Sequence, residues 1–325
     1  MARQGLIVIT GGAGFIGSGV LRYLNNNGEN HLIIVDELGC SEKWRNLLGK
    51  RYIEFIPKAK LMEWLESKGS EIKAIIHLGA CSNTQEVDAS YLFENNYRYS
   101  IRLAEFALKN QIRFIYASSA ATYGNGEQGF NSDLSNLLYL QPLNIYGFSK
   151  HSFDLWVLSQ GVLHQLIGLK YFNVFGPNEY HKGQMSSAIM RMVPAILKNG
   201  KVELFRSNDP EHYADGEQKR DFIYVKDAVR MTCAFLDNTN GGLFNIGSGY
   251  ATSWNQLAEA VFAALGQETK IEYVEMKVDP KKYQNYSCAD MLNTSAALRG
   301  QVQCMDFKEA VREYVQDYLL AGKVW

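Results

Sequence analysis

Short apolar bursts alternate with longer amphipathic stretches through the first half of the chain. Runs of that length bounded by turn residues read as strands buried on both faces, and the stretches between them as the helices that cover them. Strands are expected over residues 6–10, 32–36, 74–78, 114–118 and 166–172. Helices are expected over 15–27, 61–68, 91–110 and 146–158, the third with Leu92, Ile101, Leu103, Phe106 and Leu108 as its apolar positions. Right-handed crossovers stack such units into one α/β, doubly wound parallel sheet. From about residue 175 the rhythm loosens into a helix at 187–198, short strands at 202–205 and 222–225, and a helix at 227–236. The expectation is a first part over 1–174, with later segments at about 220–250 returning to it, and a smaller α/β lobe made mainly of 175–325. No internal repeat or low-complexity linker interrupts the pattern, and the polar stretch 207–219 is expected to be a mobile surface loop.

Composition narrows the class. With 325 residues, 46% hydrophobic and 21% charged, the chain can bury a full core, and its length suits roughly two domains of about 150 residues. Its net charge is −1, from 33 Lys plus Arg against 34 Asp plus Glu, and the basic residues are scattered in nothing longer than pairs such as Lys281-Lys282. That excludes the basic patch of a nucleic-acid binder. Five cysteines without a C-x-x-C, and six histidines without an H-x-x-x-H pair, suggest neither a disulfide framework nor a metal site, and a reducing cytosol is the natural compartment. The uncharged run after Arg3, residues 4–21, would pass for a signal peptide but for Gly11, Gly12, Gly14, Gly17 and Gly19. No window approaches the ~20 apolar residues of a membrane helix. A cytoplasmic protein with no membrane span is expected.

Those same glycines carry chemistry. Thr10-Gly11-Gly12-Ala13-Gly14-Phe15-Ile16-Gly17-Ser18 follows an expected strand and opens an expected helix. In that context one glycine makes the tight turn, a second admits a pyrophosphate to the backbone, and a third packs helix on strand. Asp36, 19 residues beyond Gly17 at the end of the second strand, can hold a ribose hydroxyl. The first part thus reads as a dinucleotide-binding Rossmann domain, and the later lobe as substrate-binding. Asp36 alone favours NAD, while Lys43 and Arg45 close behind could neutralise the 2′-phosphate of NADP, so spacing leaves that choice open.

Tyr146 and Lys150 form a Y-x-x-x-K pair, one turn apart on one face of a helix. With 19 tyrosines one such pair is expected by chance, and Tyr273 with Lys277 is a second. The latter falls in residues 271–277, whose alternation reads as a strand, so its members would not meet. A cation within reach lowers an acid by about 1–3 units, so Lys150 is expected to bring the Tyr146 phenol toward the working range of an acid and base. Ser119, just beyond the fourth strand, can offer a hydroxyl to the same substrate oxygen; as a turn or cap residue it would be equally at home.

Together these residues resemble the extended short-chain dehydrogenase/reductase superfamily over nearly the whole chain. The stretches Gly79-Ala80-Cys81-Ser82-Asn83-Thr84, Tyr171-Phe172-Asn173-Val174-Phe175-Gly176-Pro177, His181-Lys182-Gly183-Gln184-Met185 and Lys219-Arg220-Asp221-Phe222-Ile223-Tyr224-Val225 are similar to the ADP-L-glycero-D-manno-heptose 6-epimerase family. The resemblance implies a tightly held NADP, with NAD not excluded, that oxidises C6 of the heptose to a ketone and returns hydride to the other face. It implies two bases, Tyr146 for one epimer and Lys182 for the other. Cofactor contacts carried over by position fall on Phe15, Ile16, Asp36, Glu37, Lys43, Lys58, Leu78, Gly79, Ala80, Cys81, Ser82, Asn95, Lys150 and Val174, beside Gly11, Gly14 and Gly17 of the turn. Substrate contacts fall on Ser119, Asn173, Gln184, Arg191, Phe205, Arg206, Ser207, Asn208, Arg220 and Tyr283, where arginines suit the ADP diphosphate. Gln184 stands where the family has serine and Arg191 where it has histidine, and the loop before Lys219 is longer. A pentameric homo-oligomer and a place in lipopolysaccharide inner-core heptose synthesis follow by the same resemblance.

Three other readings compete. A nucleotide-sugar 4-epimerase shares Tyr146, Lys150 and Ser119 but needs no Lys182. A 4,6-dehydratase needs carboxylates where Ala120 and Ala121 stand. A non-catalytic dinucleotide sensor has no use for the phenol and amine together, and the fold cannot separate these options.

Overall fold

In the computed structural model the described residues are 5–238, 240–276, 279 and 283–325. Seven parallel strands form the central sheet: β1 (Leu6–Thr10), β2 (Leu32–Asp36), β3 (Glu54–Pro57), β4 (Ile72–His77), β5 (Arg113–Ser119), β6 (Leu166–Tyr171) and β10 (Gly242–Ile246), in the order β10-β6-β5-β4-β1-β2-β3. The period of two sorts side chains between the faces: Ile7, Ile9, Leu32, Ile34 and Ile76 enter one apolar core, Val8, Ile33, Val35 and Ile75 another. Helices α2 (Leu61–Lys68), α4 (Tyr99–Lys109) and α5 (Ile145–Ser159) cover the second face. The first core takes α1 (Phe15–Asn26), α6 (Ala188–Asn199), α7 (Val225–Ala234), α8 (Trp254–Ala264) and α10 (Phe307–Glu313). Strands buried on both faces explain the nearly continuous apolar runs of β2 and β6.

From β1 the chain builds outward to β2 and β3, then returns to lay β4 on β1's other side. That reversal opens a crevice beyond the carboxyl ends of β1 and β4, where ligands of such sheets gather. A short helix, α3 (Ala89–Leu92), runs through a π-helical turn, Phe93–Arg98, into α4 where one continuous helix over 91–110 was expected. The wider turn re-aims Asn95 and Asn96 toward this crevice side, as the hydrogen bonds described below show.

The strand expected over 166–172 ends at Tyr171. Phe172 still donates to the Ile246 carbonyl (3.0 Å), but β7 (Asn173–Phe175) leaves the main sheet and pairs with β9 (Lys219–Tyr224) in a small sheet completed by antiparallel β11 (Ala251–Ser253). A two-stranded parallel sheet pairs β8 (Val202–Phe205) with β12 (Ile271–Val274). Tyr273 therefore lies on a strand, and Lys277 lies outside the described residues. Helix α7 begins at Val225, two residues before the expected start. The stretch 207–219 forms turns with internal anchors: Asp215 accepts from the Ser207 amide (2.8 Å), Asn255 donates to the Asp215 carbonyl (3.0 Å), and Gln218 is buried. Helix α9 (Leu292–Ala297) closes the β10 edge, Thr294 donating to the Asn245 carbonyl at 2.7 Å. Among the described residues no helix is long and apolar enough to cross a membrane.

His77 ends β4 fully enclosed, its ring nitrogens meeting the Thr10 (2.6 Å) and Ser100 (3.0 Å) hydroxyls, and burial lowers its pKa from 6.5 to about 3. Between those values the unfolded chain binds a proton that the fold refuses, so stability rises with pH and is lost as pH falls from 6.5 toward 3. The expected slope from this residue is up to about 1.4 kcal/mol per pH unit. Urea unfolding of the parent and His77→Gln at pH 7, 5.5 and 4.5 checks it: the variant loses part of the acid slope, and equal slopes would refute the assignment.

Candidate active site

Between the end of β1 and the start of α1 the chain must reverse within residues 11–14. Gly11 does so at φ +68°, and a Cβ there would lie 2.8 Å from Gly79 Cα. At Gly17 a Cβ would lie 2.1 Å from the Gly11 carbonyl oxygen, so the first turn of α1 rests on the loop backbone itself. Gly14 caps α1 without any side-chain hydrogen bond, which leaves the helix N–H groups and the positive end of its dipole for an anion. Asp36 accepts from the Ala13 amide (2.9 Å), the Glu37 amide (2.7 Å) and the Lys43 ammonium.

Beside this loop lies a cavity of about 260 Å³ that brings together Gly11, Asp36, Glu37, Lys43, Lys58, Gly79, Ala80, Cys81 and Asn95, with Tyr91 and Tyr99 as further walls. Lys58 is hydrogen-bonded to Asn95 and stands 4.7 Å from the Tyr99 ring centroid; burial lowers its pKa. Phe15, Ile16, Leu78 and Val174 pack into the apolar core beneath the turn, and Ser82 is exposed. A free backbone turn, an acceptor at the end of β2 and two lysines at one cavity fit a dinucleotide.

Helix α5 starts where Asn144 accepts from the Gly147 amide at 2.7 Å, which sets Tyr146 in its first turn and Lys150 one turn on. Ser119 closes β5 near Tyr146, whose pKa its hydroxyl holds down, while its own oxygen accepts from the Ala121 amide (3.1 Å), so it is both turn cap and neighbour of the phenol. Lys150 departs from expectation. Its ammonium donates to the Ala117 carbonyl (2.8 Å), and burial lowers its pKa to about 8. The phenol is raised by burial, with Ser119 opposing that rise and Cys81 adding to it, so the expected depression by Lys150 is corrected: desolvation sets the direction, and the lysine is not among its causes. Asn96, unmarked by any motif spacing, ties the two halves of this centre. Its amide group bonds the Cys81 N–H (2.9 Å) and carbonyl (3.0 Å) and the Ser149 hydroxyl (3.0 Å), which in turn donates to the Tyr146 carbonyl (2.7 Å).

Lys182 stands in the short helical segment Tyr180–Met185, its ammonium 5.3 Å from the Phe15 ring centroid at the head of α1. Burial lowers its pKa and Glu179 partly opposes this. A second cavity, of about 560 Å³, gathers Arg191, Phe205 and Tyr283 with Trp254. The Phe205 and Tyr283 rings meet edge to face at 6.4 Å, and the Arg220 guanidinium lies 5.1 Å from Tyr283 and 5.9 Å from Trp254. Asn173 and Gln184 are exposed outside this cavity, Arg206 pairs with Glu275 at 3.5 Å, Ser207 is held by Asp215, and Asn208 is partly buried. Trp254 had no signal in the sequence beyond the Ser253/Gln256 capping box that starts its helix.

Residues 7–247 match the NAD dependent epimerase/dehydratase family. A curated relative from Nitratidesulfovibrio vulgaris (strain DP4), named ADP-L-glycero-D-manno-heptose-6-epimerase, is 45% identical over 321 residues, 98% of this chain and 99% of its own. One of the same name from Fusobacterium nucleatum subsp. nucleatum is 41% identical, covering 97% and 98%. Among solved structures, the Helicobacter pylori ADP-L-glycero-D-manno-heptose-6-epimerase superposes with a TM-score of 0.80 at 26% identity, covering 97% of this chain and 96% of its own. A UDP-N-acetylglucosamine 4-epimerase from Methanobrevibacter ruminantium M1 gives 0.83 at 25%, covering 99% and 100%.

The contact beneath Gly17 has a direct consequence. Gly17→Ala must push the Gly11 carbonyl aside, so it is expected to lose about 1–3 kcal/mol of stability and to purify without dinucleotide. Thermal unfolding and the absorbance of the purified protein read both, and a variant as stable and as loaded as its parent would show that the turn is not held this tightly.

Proposed function

The chain belongs to the NAD dependent epimerase/dehydratase family, and from that premise we propose that it inverts C6 of the heptose in ADP-D-glycero-D-manno-heptose to give ADP-L-glycero-D-manno-heptose. What carries the reading is one chain holding both a Tyr146 phenol beside Ser119 and a second, desolvated amine at Lys182 over the head of α1. The near full-length likeness to relatives of that name supports it.

Gly11, Gly17 and the α1 N-terminus would hold the pyrophosphate of a nicotinamide dinucleotide, and Asp36 with its neighbours the adenosine ribose. Bound there, an oxidised nicotinamide would supply positive charge and a reversible two-electron hydride acceptor for C6. Tyr146 takes the proton from one epimer's 6-hydroxyl and Ser119 holds that oxygen. Once the ketone has turned, Lys182 delivers a proton to the oxygen of the other epimer. Desolvation brings the amine closer to neutrality, where such exchange is efficient. The hydride returns within each turnover, so no net oxidation occurs; Tyr146 ends one proton richer and Lys182 one poorer, and proton exchange with solvent resets the pair. Arg220, Arg191, Phe205, Trp254 and Tyr283 would receive the nucleotide, the rings for its base and the arginines for its phosphates.

Purified protein incubated with ADP-D-glycero-D-manno-heptose and no added cofactor is expected to invert C6, followed by NMR. Tyr146→Phe should lower kcat about 10²–10⁴-fold, and Lys182→Ala should do so in at least one direction. Full turnover by Lys182→Ala, or no inversion by folded, cofactor-loaded protein, would sink the assignment and direct the search to hexose 4-epimerisation.

The dinucleotide is NADP on this reading. Lys43 pairs with the Asp36 carboxylate, cancelling the charge that would repel a 2′-phosphate, and Lys58 lines the same cavity. Denatured protein should release NADP, and Lys43→Ala should weaken its retention about ten- to a hundredfold, the worth of a charged hydrogen bond. Chromatography of the released nucleotide decides it: NAD in its place refutes this part.

A further inference from the structure

A second set of polar groups, unused by the proposed chemistry, is sealed directly behind it. Asp154 follows Lys150 by one turn of α5 and Tyr146 by two, on the same face, and is fully buried. Its Oδ1 accepts from the Tyr116 hydroxyl (3.0 Å), and its Oδ2 from the Ser118 hydroxyl (2.7 Å) and the Lys170 ammonium (2.9 Å). Lys170, next to the last residue of β6 and 1% exposed, also donates to Thr122 Oγ1 (2.7 Å) and stands 4.9 Å from the Tyr123 ring centroid. Thr122 donates onward to the Ser119 carbonyl at 2.8 Å. The chain of bonds thus runs from α5 through β6 to the turn behind Ser119. There is no slack along it: a Cβ on Gly147 would lie 2.7 Å from the Ala121 carbonyl oxygen, and one on Gly168 would lie 2.5 Å from the Tyr116 hydroxyl.

As a stabiliser this arrangement is poor. Taking both charges out of water costs about as much as their attraction returns, and apolar residues of similar volume fill such sites without loss of stability. Geometry is what the pair supplies, since Asp154 ties α5 to Tyr116 and Ser118 of β5 and Lys170 ties it to Thr122 in the turn after Ser119. We infer that Asp154 and Lys170 are positioning residues whose ion pair fixes Ser119 against Tyr146 and sets Lys150 for the reaction. The inference rests on the C6 chemistry proposed above. It also has a charge-specific signature. Lys150 is faced by Asp154 and Tyr146 from its own helix, by Cys81 from the β4–α3 connection, by His77 from β4, and by the Ala117 carbonyl from β5. Burial lowers Lys150, and the Asp154 and Cys81 charges oppose this. Without the Asp154 charge the lysine gives up its proton at lower pH, while its other neighbours stay as they are.

Two variants test this: Asp154→Asn, and the apolar pair Asp154→Leu with Lys170→Met, which keeps the volume filled should the single change not fold. Each is compared with its parent by thermal unfolding, by kcat and KM with ADP-D-glycero-D-manno-heptose across pH, and by crystallography of the Ser119–Tyr146 contact. The expected result is a folded protein whose kcat falls about 10–100-fold with KM little changed. Its alkaline limb moves acidward, and Ser119 is displaced relative to Tyr146. Folded variants with the parent's kcat, pH profile and Ser119–Tyr146 placement would overturn the inference, as would an activity loss that only tracks the unfolded fraction. Should the parent itself leave the heptose unchanged, the functional reading falls, and the crystallographic comparison alone decides whether the pair sets this contact.

Discussion

The contact on which the site depends is backbone against backbone, where Gly11 meets the Leu78–Gly79 segment. A side chain at Gly11 would need the space that Gly79 Cα and N occupy at 2.8 Å, so the loops after β1 and β4 approach each other as closely as peptide groups allow. Thr10 fastens the approach: its hydroxyl accepts from the Gly79 amide (3.1 Å) and meets the His77 ring. Because β1 and β4 are neighbours across the reversal of strand order, this seam is also the floor of the crevice, and a shift in it would move both walls of the dinucleotide cavity. From Gly79 the backbone continues to Cys81, which Asn96 fastens to Ser149 and so to the carbonyl of Tyr146. The glycine turn and the first turn of α5 are thus linked through Thr10, the Gly79–Cys81 backbone, Asn96 and Ser149.

Desolvation is the second theme. His77, Lys150 and Lys182 are all pushed toward their neutral forms by burial; at His77 the Lys150 and Lys58 charges add to the push, whereas Asp154 and Cys81 oppose it at Lys150 and Glu179 at Lys182. Neutral His77 costs nothing at physiological pH and passes hydrogen bonds between hydroxyls. Lys150 keeps a carbonyl acceptor and the nearby Asp154 charge. For Lys182 the counterweight is Glu179, itself buried and holding hydrogen bonds from Ser187 and from the Tyr314 hydroxyl (2.8 Å). An amine with one enclosed carboxylate neighbour and little water can change protonation state with a modest expenditure of free energy, which is what a second acid–base group needs.

Much of the main sheet was legible because its strands are buried on both faces and so read as apolar runs, and the glycine turn because its spacing has one structural use. Tyr146, Lys150 and Ser119 were legible as a group, but the sign of the phenol's shift was not: charge spacing along a helix is visible in sequence, the degree of burial is not. β7 went unread, since nothing local marks the point where the chain leaves one sheet to pair with β9, Asn173 lying opposite Phe222 forty-nine residues later. Lys170 was a signal left unread. A charge inside the apolar stretch Leu166-Ile167-Gly168-Leu169-Lys170-Tyr171 of a doubly buried strand demands a buried partner, and Asp154 lies on the helix face already assigned to the chemistry.

Specificity in such a fold rests on how the later lobe presents its groups, because the sheet is common to enzymes that act on different carbons. Here Lys182 is not left on a free loop. The Tyr180 hydroxyl donates to carbonyls of Tyr318 (3.0 Å) and Lys323 (2.7 Å), and Asn46 bonds the Ala13 and Asn178 carbonyls (3.0 and 2.9 Å). The segment is therefore bolted on one side to the C-terminal helical region and on the other to the glycine turn. If Lys182 is the second base, an amine anchored in this way does not follow the sugar, and on the proposed mechanism it is the ketone that turns between phenol and amine. The anchors on either side of residues 180–185 would then fix where that amine meets the sugar.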